Sequence, residues 1–257
     1  MNPYALWISY KTITKKEVTR FLRVWSQTLL PPVVTMSLYF VIFGKFIGSQ
    51  IQNINGFSYM EFIVPGLVMM AVITSSFMNT VSSFYMAKFQ RTVEELMVSP
   101  TPYFVVILGY VTGGVLRGLL TGAIVLSVAL FFTHIAIHNI LFTLLFVVLT
   151  SIIFSLAGLI NGVLATSFDG ISIVPTFVLT PLTYLGGVFY SIHALPPVWQ
   201  KVSLWNPILY MVNGFRYGFM GVSDVSITLS VGILLAFIAI FFGASWWLFK
   251  TGRGLRN

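Results

Sequence analysis

Long apolar runs separated by short polar or basic stretches divide the chain into blocks at about 28–47, 60–82, 105–132, 140–166, 172–190 and 227–249. Each approaches or exceeds the roughly 20 residues that an α-helix needs to cross a hydrocarbon layer of about 30 Å. Six membrane-spanning helices are predicted, and an even number puts both termini on one side. Three further stretches keep a helical pattern without being spans. In the first, residues 1–26, Tyr10, Ile13, Val18, Phe21, Leu22 and Trp25 recur at helical spacing, with Lys11, Lys15, Arg20 and Arg23 largely opposite. That pattern predicts a basic amphipathic helix lying in the membrane interface and sensing anionic headgroups. In the second, residues 86–101, Phe89, Val93, Leu96 and Met97 follow helical spacing, and Arg91 can pair with Glu94 and Glu95 across one turn. Ser99-Pro100-Thr101-Pro102 then stops the helix, because proline lacks the backbone donor. The third, residues 191–221, is too broken by Pro196, Pro197 and Pro207 for one span and too apolar for a watery loop. A re-entrant or surface-lying pair of short helices is expected there.

Composition agrees with an all-α integral membrane protein of one domain, 1–257. Apolar residues make up 57% of the chain and charged ones 8%, against about a quarter charged in a soluble domain. The net charge of +8 is not a nucleic-acid footprint, since the basic residues sit in short clusters between apolar blocks. Lys11, Lys15, Lys16, Arg20 and Arg23 precede the first span, Lys88 and Arg91 follow the second, and Lys250, Arg253 and Arg256 end the chain. The alternate loops carry only Lys45, Lys201 and Arg216. By the positive-inside rule both termini are expected in the cytoplasm. No cleavable signal peptide is evident, so insertion is expected to rely on the first span. The chain has no cysteine, which removes disulfides, thiol catalysis and Cys-based metal sites.

No catalytic motif stands out. Gly44-Lys45 lacks the upstream glycine and following hydroxyl of a phosphate-binding loop, so the chain is not expected to hydrolyse ATP itself. His134, His138 and His193 fall in predicted outer loops without a spaced carboxylate partner, and read as interfacial or structural. Arg117 is the one basic residue well inside an apolar block. Two roles stand open for it: a structural pairing or snorkelling position, and a part in gating or substrate contact. Asp169 reads as a cap of the following helix, and Glu61 as an interface residue. Gly109, Gly113, Gly114, Gly118 and Gly122, with Gly158 and Gly162, repeat a small-xxx-small spacing. Such faces serve close packing within one subunit or a dimer seam. Trp199, Trp205, Tyr210, Phe215, Tyr217 and Phe219 cluster between the last two blocks, as interfacial anchors would.

Three segments, in order and at a consistent topology, resemble the ABC-2 type transporter permeases. Glu61-Phe62-Ile63-Val64-Pro65-Gly66 resembles the family's start of the second span. Arg91-Thr92-Val93-Glu94-Glu95-Leu96-Met97-Val98-Ser99-Pro100 resembles its ATPase-contacting loop. Pro181-Leu182-Thr183-Tyr184-Leu185-Gly186-Gly187-Val188-Phe189, followed by Leu195-Pro196-Pro197, Asn206-Pro207 and Asn213-Gly214-Phe215-Arg216, resembles its C-terminal signature. The resemblance implies a bacterial cytoplasmic-membrane permease, paired with a second copy or a paralogue. Two separately encoded ABC ATPase subunits would carry the ATP and Mg, this chain binding no cofactor. It further implies that Arg91, Glu94, Glu95, Leu96, Met97 and Pro100 meet the ATPase, and that the cargo is an exported amphiphile: a lipid, a lipid-linked glycan or a drug-like molecule. The alternatives are an ATP-independent secondary transporter, for which no internal repeat is visible, and a non-transporting scaffold, which has no need of the cytoplasmic lever.

Overall fold

The computed structural model describes residues 2–51, 54, 56–134 and 137–255; Arg256, counted above in the basic tail, lies outside them. Among the described residues the architecture is helical, and no strand occurs beyond one isolated bridge between Ile54 and Phe57. Five helical stretches are long and apolar enough to cross a membrane: Trp25–Gln50, Tyr59–Phe89, Tyr103–Ala129, Ile140–Leu164 and Ile227–Thr251. The helices are α1 (Pro3–Arg23), α2 (Trp25–Tyr39), α3 (Tyr59–Phe89), α4 (Thr92–Val98), α5 (Tyr103–Ala129) and α6 (Ile140–Leu164). After them come α7 (Phe168–Val174), α8 (Thr180–Tyr184), α9 (Pro197–Leu204), α10 (Pro207–Met220) and α11 (Ile227–Thr251). The first span is α2 extended by a π-helical stretch, Phe40–Ile47, and a short 3₁₀ turn.

The block expected at 172–190 departs most from its prediction. It is a helical run in three abutting pieces: α7 of seven residues, a π-helical Pro175–Leu179 of five, and α8 of five. It begins four residues earlier than expected and gives way at Leu185 to turns, with Gly187 at φ +73°. Pro175 and Pro181 explain the break, since each removes a backbone donor and crowds the preceding turn.

Helix α3 is the axis of the bundle: 78% of its most apolar window is buried, against 11% for both the first and the last span. Its start is fixed by a capping box, in which Glu61 accepts from the Ser58 backbone N–H at 2.8 Å and Ser58 Oγ accepts from the Glu61 N–H at 3.3 Å. Helix–helix association in lipid has no hydrophobic driving force and relies on close packing. The glycines provide it. A Cβ on Gly158 would stand 2.5 Å from the carbonyl oxygen of Phe77 in α3, and one on Gly162 would stand 3.1 Å from that of Val81. Gly114 and Gly118 of α5 leave no room for a Cβ beside the hydroxyls of Thr80, Ser76, Ser155 and Ser151. The small-residue faces are therefore consumed by packing within one subunit.

Both chain ends, α4 and the start of α5 meet at one end of the bundle. There Phe84, Val93, Tyr110, Val163, Phe249 and Leu255 belong to one buried cluster. This is called the terminal end below, and the opposite one the far end.

Candidate coupling surface and signature segment

Helix α4 is a short helix at the terminal end, between α3 and α5. The lever expected over 86–101 is shorter in the structure: α3 continues through Phe89, and α4 spans only Thr92–Val98. Phe89 belongs to α3 and is mostly exposed, its ring 5.2 Å from that of Phe168. Arg91 makes the corner with φ +60°, the sole non-glycine residue with positive φ among those described. Because it precedes the helix, Arg91 does not share a helical face with the two acids. It forms no ion pair with Glu94 or Glu95, contrary to expectation. Glu94, Glu95 and Pro100 are exposed, Leu96 and Met97 half-buried, and Val98 is 88% exposed. Val93 points inward and is buried with the ends of α3, α5, α6 and α11. Leu96 and Met97 pack partly against the same cluster, so α4 has an inward apolar side and an outward acidic one.

Lys88, expected in a loop, is buried near the end of α3. Its Nζ donates to the carbonyls of Val163 and Ala165, both at 2.9 Å. These are free carbonyls at the C-terminus of α6, where the helix dipole favours a cation. The base of α4 is thereby tied to α6 as well.

Helix α1 does more than lie beside the bundle. It crosses α5 where Gly109 and Gly113 leave no Cβ: a methyl there would stand 2.5 Å from Ile13 or from Glu17. Glu17 is fully buried and accepts a 2.6 Å bond from Ser83 Oγ of α3. Arg20 reaches Glu17 at 3.3 Å and donates to the Asn79 backbone and side-chain oxygens at 2.9 and 2.8 Å. Sequence reasoning missed this clasp. The available signal was Glu17 standing between Ile13 and Phe21 at four-residue spacing, an acid in the middle of the inward stripe.

Arg117 is held at α2. Its Nη2 donates to the Thr28 carbonyl at 3.3 Å. In a regular helix that carbonyl would accept from residue 32, but residue 32 is proline. Arg117 therefore supplies a donor that Pro32 cannot, which favours the structural side of its two open readings. Asp169 is exposed in the first turn of α7, and the cap is Ser167, whose Oγ accepts from Gly170 N–H at 3.0 Å.

The far end gathers the remaining signature residues into one packed unit. Gly66 of α3 lies against the backbone of Val188, where a Cβ would stand 2.5 Å from its carbonyl oxygen. Tyr59 donates to the Phe189 carbonyl at 3.1 Å. Asn206 accepts from Ile208 N–H at 3.0 Å, capping α10, and donates to the Leu182 carbonyl at 2.6 Å. Pro196 and Pro197 are exposed at the start of α9, and Pro207 opens α10. Arg216, expected in a loop, is 4% exposed: it donates to the Gly187 carbonyl at 2.7 Å, and its guanidinium lies 3.9 Å over the Phe62 ring. Helix α10 is buried along most of its length between α3, α6 and α11, with Gly218 against the backbone of Thr143. Thus Tyr210, Phe215 and Phe219 are core residues, while Trp199 on α9 is exposed and Trp205 after it is exposed along a groove with Phe154 and Ala157 of α6. Asn213 closes the unit, its carbonyl oxygen accepting from Asp224 N–H at 2.7 Å and its amide donating to Ser223 Oγ and the Val225 carbonyl.

A bundle with five helices long and apolar enough to cross a membrane defines a polytopic membrane protein. The ABC-2 type transporter family model matches residues 8–220, and the chain belongs to that family. It is 57% identical to the inner membrane transport permease YadH of Escherichia coli K12, over 99% of both chains. It is 23% identical to nodulation protein J of Rhizobium leguminosarum bv. viciae over 79% of each chain. With nodulation protein J of Neorhizobium galegae it shares 21% identity over 93% of this chain and 91% of that one. The protein is accordingly a multi-pass permease subunit of an ABC transporter, of an inner-membrane type.

Proposed function

We propose that this chain pairs with a second permease, a copy or a paralogue, and with two separate ATPase subunits to export an amphiphilic substrate. The observation that carries the reading is α4. Val93 seats it against α3, in the buried cluster that α3 shares with α5, α6 and α11, while Glu94, Glu95 and Val98 face outward. A push on a helix so seated moves the bundle rather than bending a loop. Closure of the ATPase dimer would then bias the permeases between two packings, as differential binding must. On this reading the terminal end, with Lys11, Lys15, Lys16, Arg23, Arg91, Lys250 and Arg253, is cytoplasmic by the positive-inside rule. The helical run Phe168–Tyr184 serves as a sixth, shorter crossing, and α9 and α10 form a segment that dips into the membrane from the far side. The mid-depth interior holds no acidic cluster in the sequence, which suits an amphiphile better than a small ion.

Affinity capture of the permease in detergent from its own membranes, with identification of any P-loop ATPase that accompanies it, tests the reading. The ATPase is expected to co-purify with the wild type and to be lost with Glu94→Lys/Glu95→Lys. Equal recovery with that variant, or no ATPase with a folded wild type, would overturn it.

A further inference from the structure

Helix α1 presents Lys11, Lys15, Lys16, Arg20 and Arg23 along one shallow trough. Its one acid, Glu17, faces the opposite way, fully buried against α3 and α5 and bound by Ser83. Among the described residues the Arg20–Glu17 contact is the single ion pair. Lys11, Lys15, Lys16 and Arg23 therefore share one face without an ion pair, Glu95 of α4 reaching only the recess beside Lys16. Arg117 stands one turn further along, at Thr28, also without an acidic partner. Like charges four residues apart, such as Lys11 and Lys15 or Lys16 and Arg20, repel across the helix surface. An anion held along the face would relieve that repulsion. The flanks say where it comes from: Trp7 and Trp25 are each 59% exposed, with Ile8 and Leu22 also outward. Indoles settle at the headgroup level, and Lys and Arg reach from there toward the phosphates.

We propose that the basic face of α1 is a binding surface for the phosphate-bearing headgroups of anionic phospholipids. It requires no ATPase, so its failure and that of the export reading are separable. The surface would hold α1 at the depth where Glu17 meets Ser83.

The test uses the full-length permease in nanodiscs or mixed micelles, with bound lipid counted by native mass spectrometry as phosphatidylglycerol is titrated against phosphatidylcholine. The wild type is expected to prefer phosphatidylglycerol, less so as salt rises. Each neutralised cation is expected to weaken that preference about fivefold, a contribution of roughly 1 kcal/mol. Lys15→Gln/Lys16→Gln/Arg23→Gln should then lose it on the order of a hundredfold, while the charge-preserving Lys15→Arg/Lys16→Arg/Arg23→Lys and the far-end Lys45→Gln/Lys201→Gln retain it. Should the triple variant fail to fold, Lys15→Gln alone must still show the fivefold loss. An unchanged preference in the neutralised variants, or an equal loss from the far-end pair, overturns the proposal. Displacement of the lipid by millimolar inorganic phosphate would instead assign the surface to the free ion and overturn the lipid assignment.

Discussion

Replacing Glu17 removes the one carboxylate that α1 sends into the bundle. Ser83 would lose the acceptor of a 2.6 Å bond, and Arg20 a 3.3 Å contact. A hydrogen bond to a charged group contributes about 1.5–3 kcal/mol. Arg20 is 31% exposed and keeps both bonds to Asn79, so its lost attraction is screened and is the smaller share. Glutamine is nearly isosteric, still fills the cleft at Gly113 and can accept from Ser83, so Glu17→Gln should cost only about 1 kcal/mol. Alanine keeps the Cβ beside Gly113 but leaves Ser83 unpaired and the place of the γ-carbon and carboxyl empty, which raises the cost to about 2–4 kcal/mol. For a chain of this size, about 2–4 °C of midpoint shift accompanies each kcal/mol. Detergent-purified permease, followed by the fluorescence of its six tryptophans, should thus lose roughly 2–4 °C with Glu17→Gln and roughly 4–16 °C with Glu17→Ala. Glu17→Ala and Ser83→Ala should be non-additive by at least about 1 kcal/mol. A midpoint for Glu17→Ala within about 1 °C of wild type, or strict additivity with Ser83→Ala, would refute the clasp.

Gly158→Ala should destabilise by about 1–3 kcal/mol, since its Cβ meets the Phe77 backbone and not a side chain that can turn away. Gly232→Ala and Gly243→Ala, with nothing within 4 Å, should instead stabilise by up to about 1 kcal/mol from helix propensity; the same thermal assay reads all three. Arg216→Met frees the Gly187 carbonyl and removes the cation over Phe62, for an expected loss of about 2–4 kcal/mol. Protease sensitivity concentrated near residues 185–190 would mark that loss as local. Arg117→Leu should be less harmful in a Pro32→Ala background, where the restored backbone N–H serves Thr28, and equal midpoint shifts in both backgrounds would contradict that role.

Five of the six blocks that the hydropathy pattern predicts are long helices, because block length and apolarity alone decide whether a segment suits lipid. The 172–190 block was harder to bound because Pro175 and Pro181 change the helical register without interrupting the hydrophobic run. Individual side chains were less readable. Lys88 lies only three residues from the corner at Arg91, and nothing local distinguishes a loop lysine from one turned back to cap α6. Arg216 looked exposed because prolines and asparagines surround it, yet its partners, Phe62 and Gly187, are distant in sequence. Glu17 is one acid among five cations on α1, so the charge pattern alone does not mark it as inward. In each case the deciding partner is on another helix. Spacing along one helix shows which face turns inward, not what that face meets.

The absence of cysteine from the chain permits the most direct test of the α4 assignment. Val98→Cys, at a position 88% exposed on α4, and Phe131→Cys, at one 88% exposed just past the far-end terminus of α5, can each carry a thiol-linked photocrosslinker in membranes that contain the partner ATPase. Illumination is expected to join the ATPase to residue 98 and not to residue 131. An adduct at 131, or none at 98 in an assembled complex, would contradict the coupling role of α4.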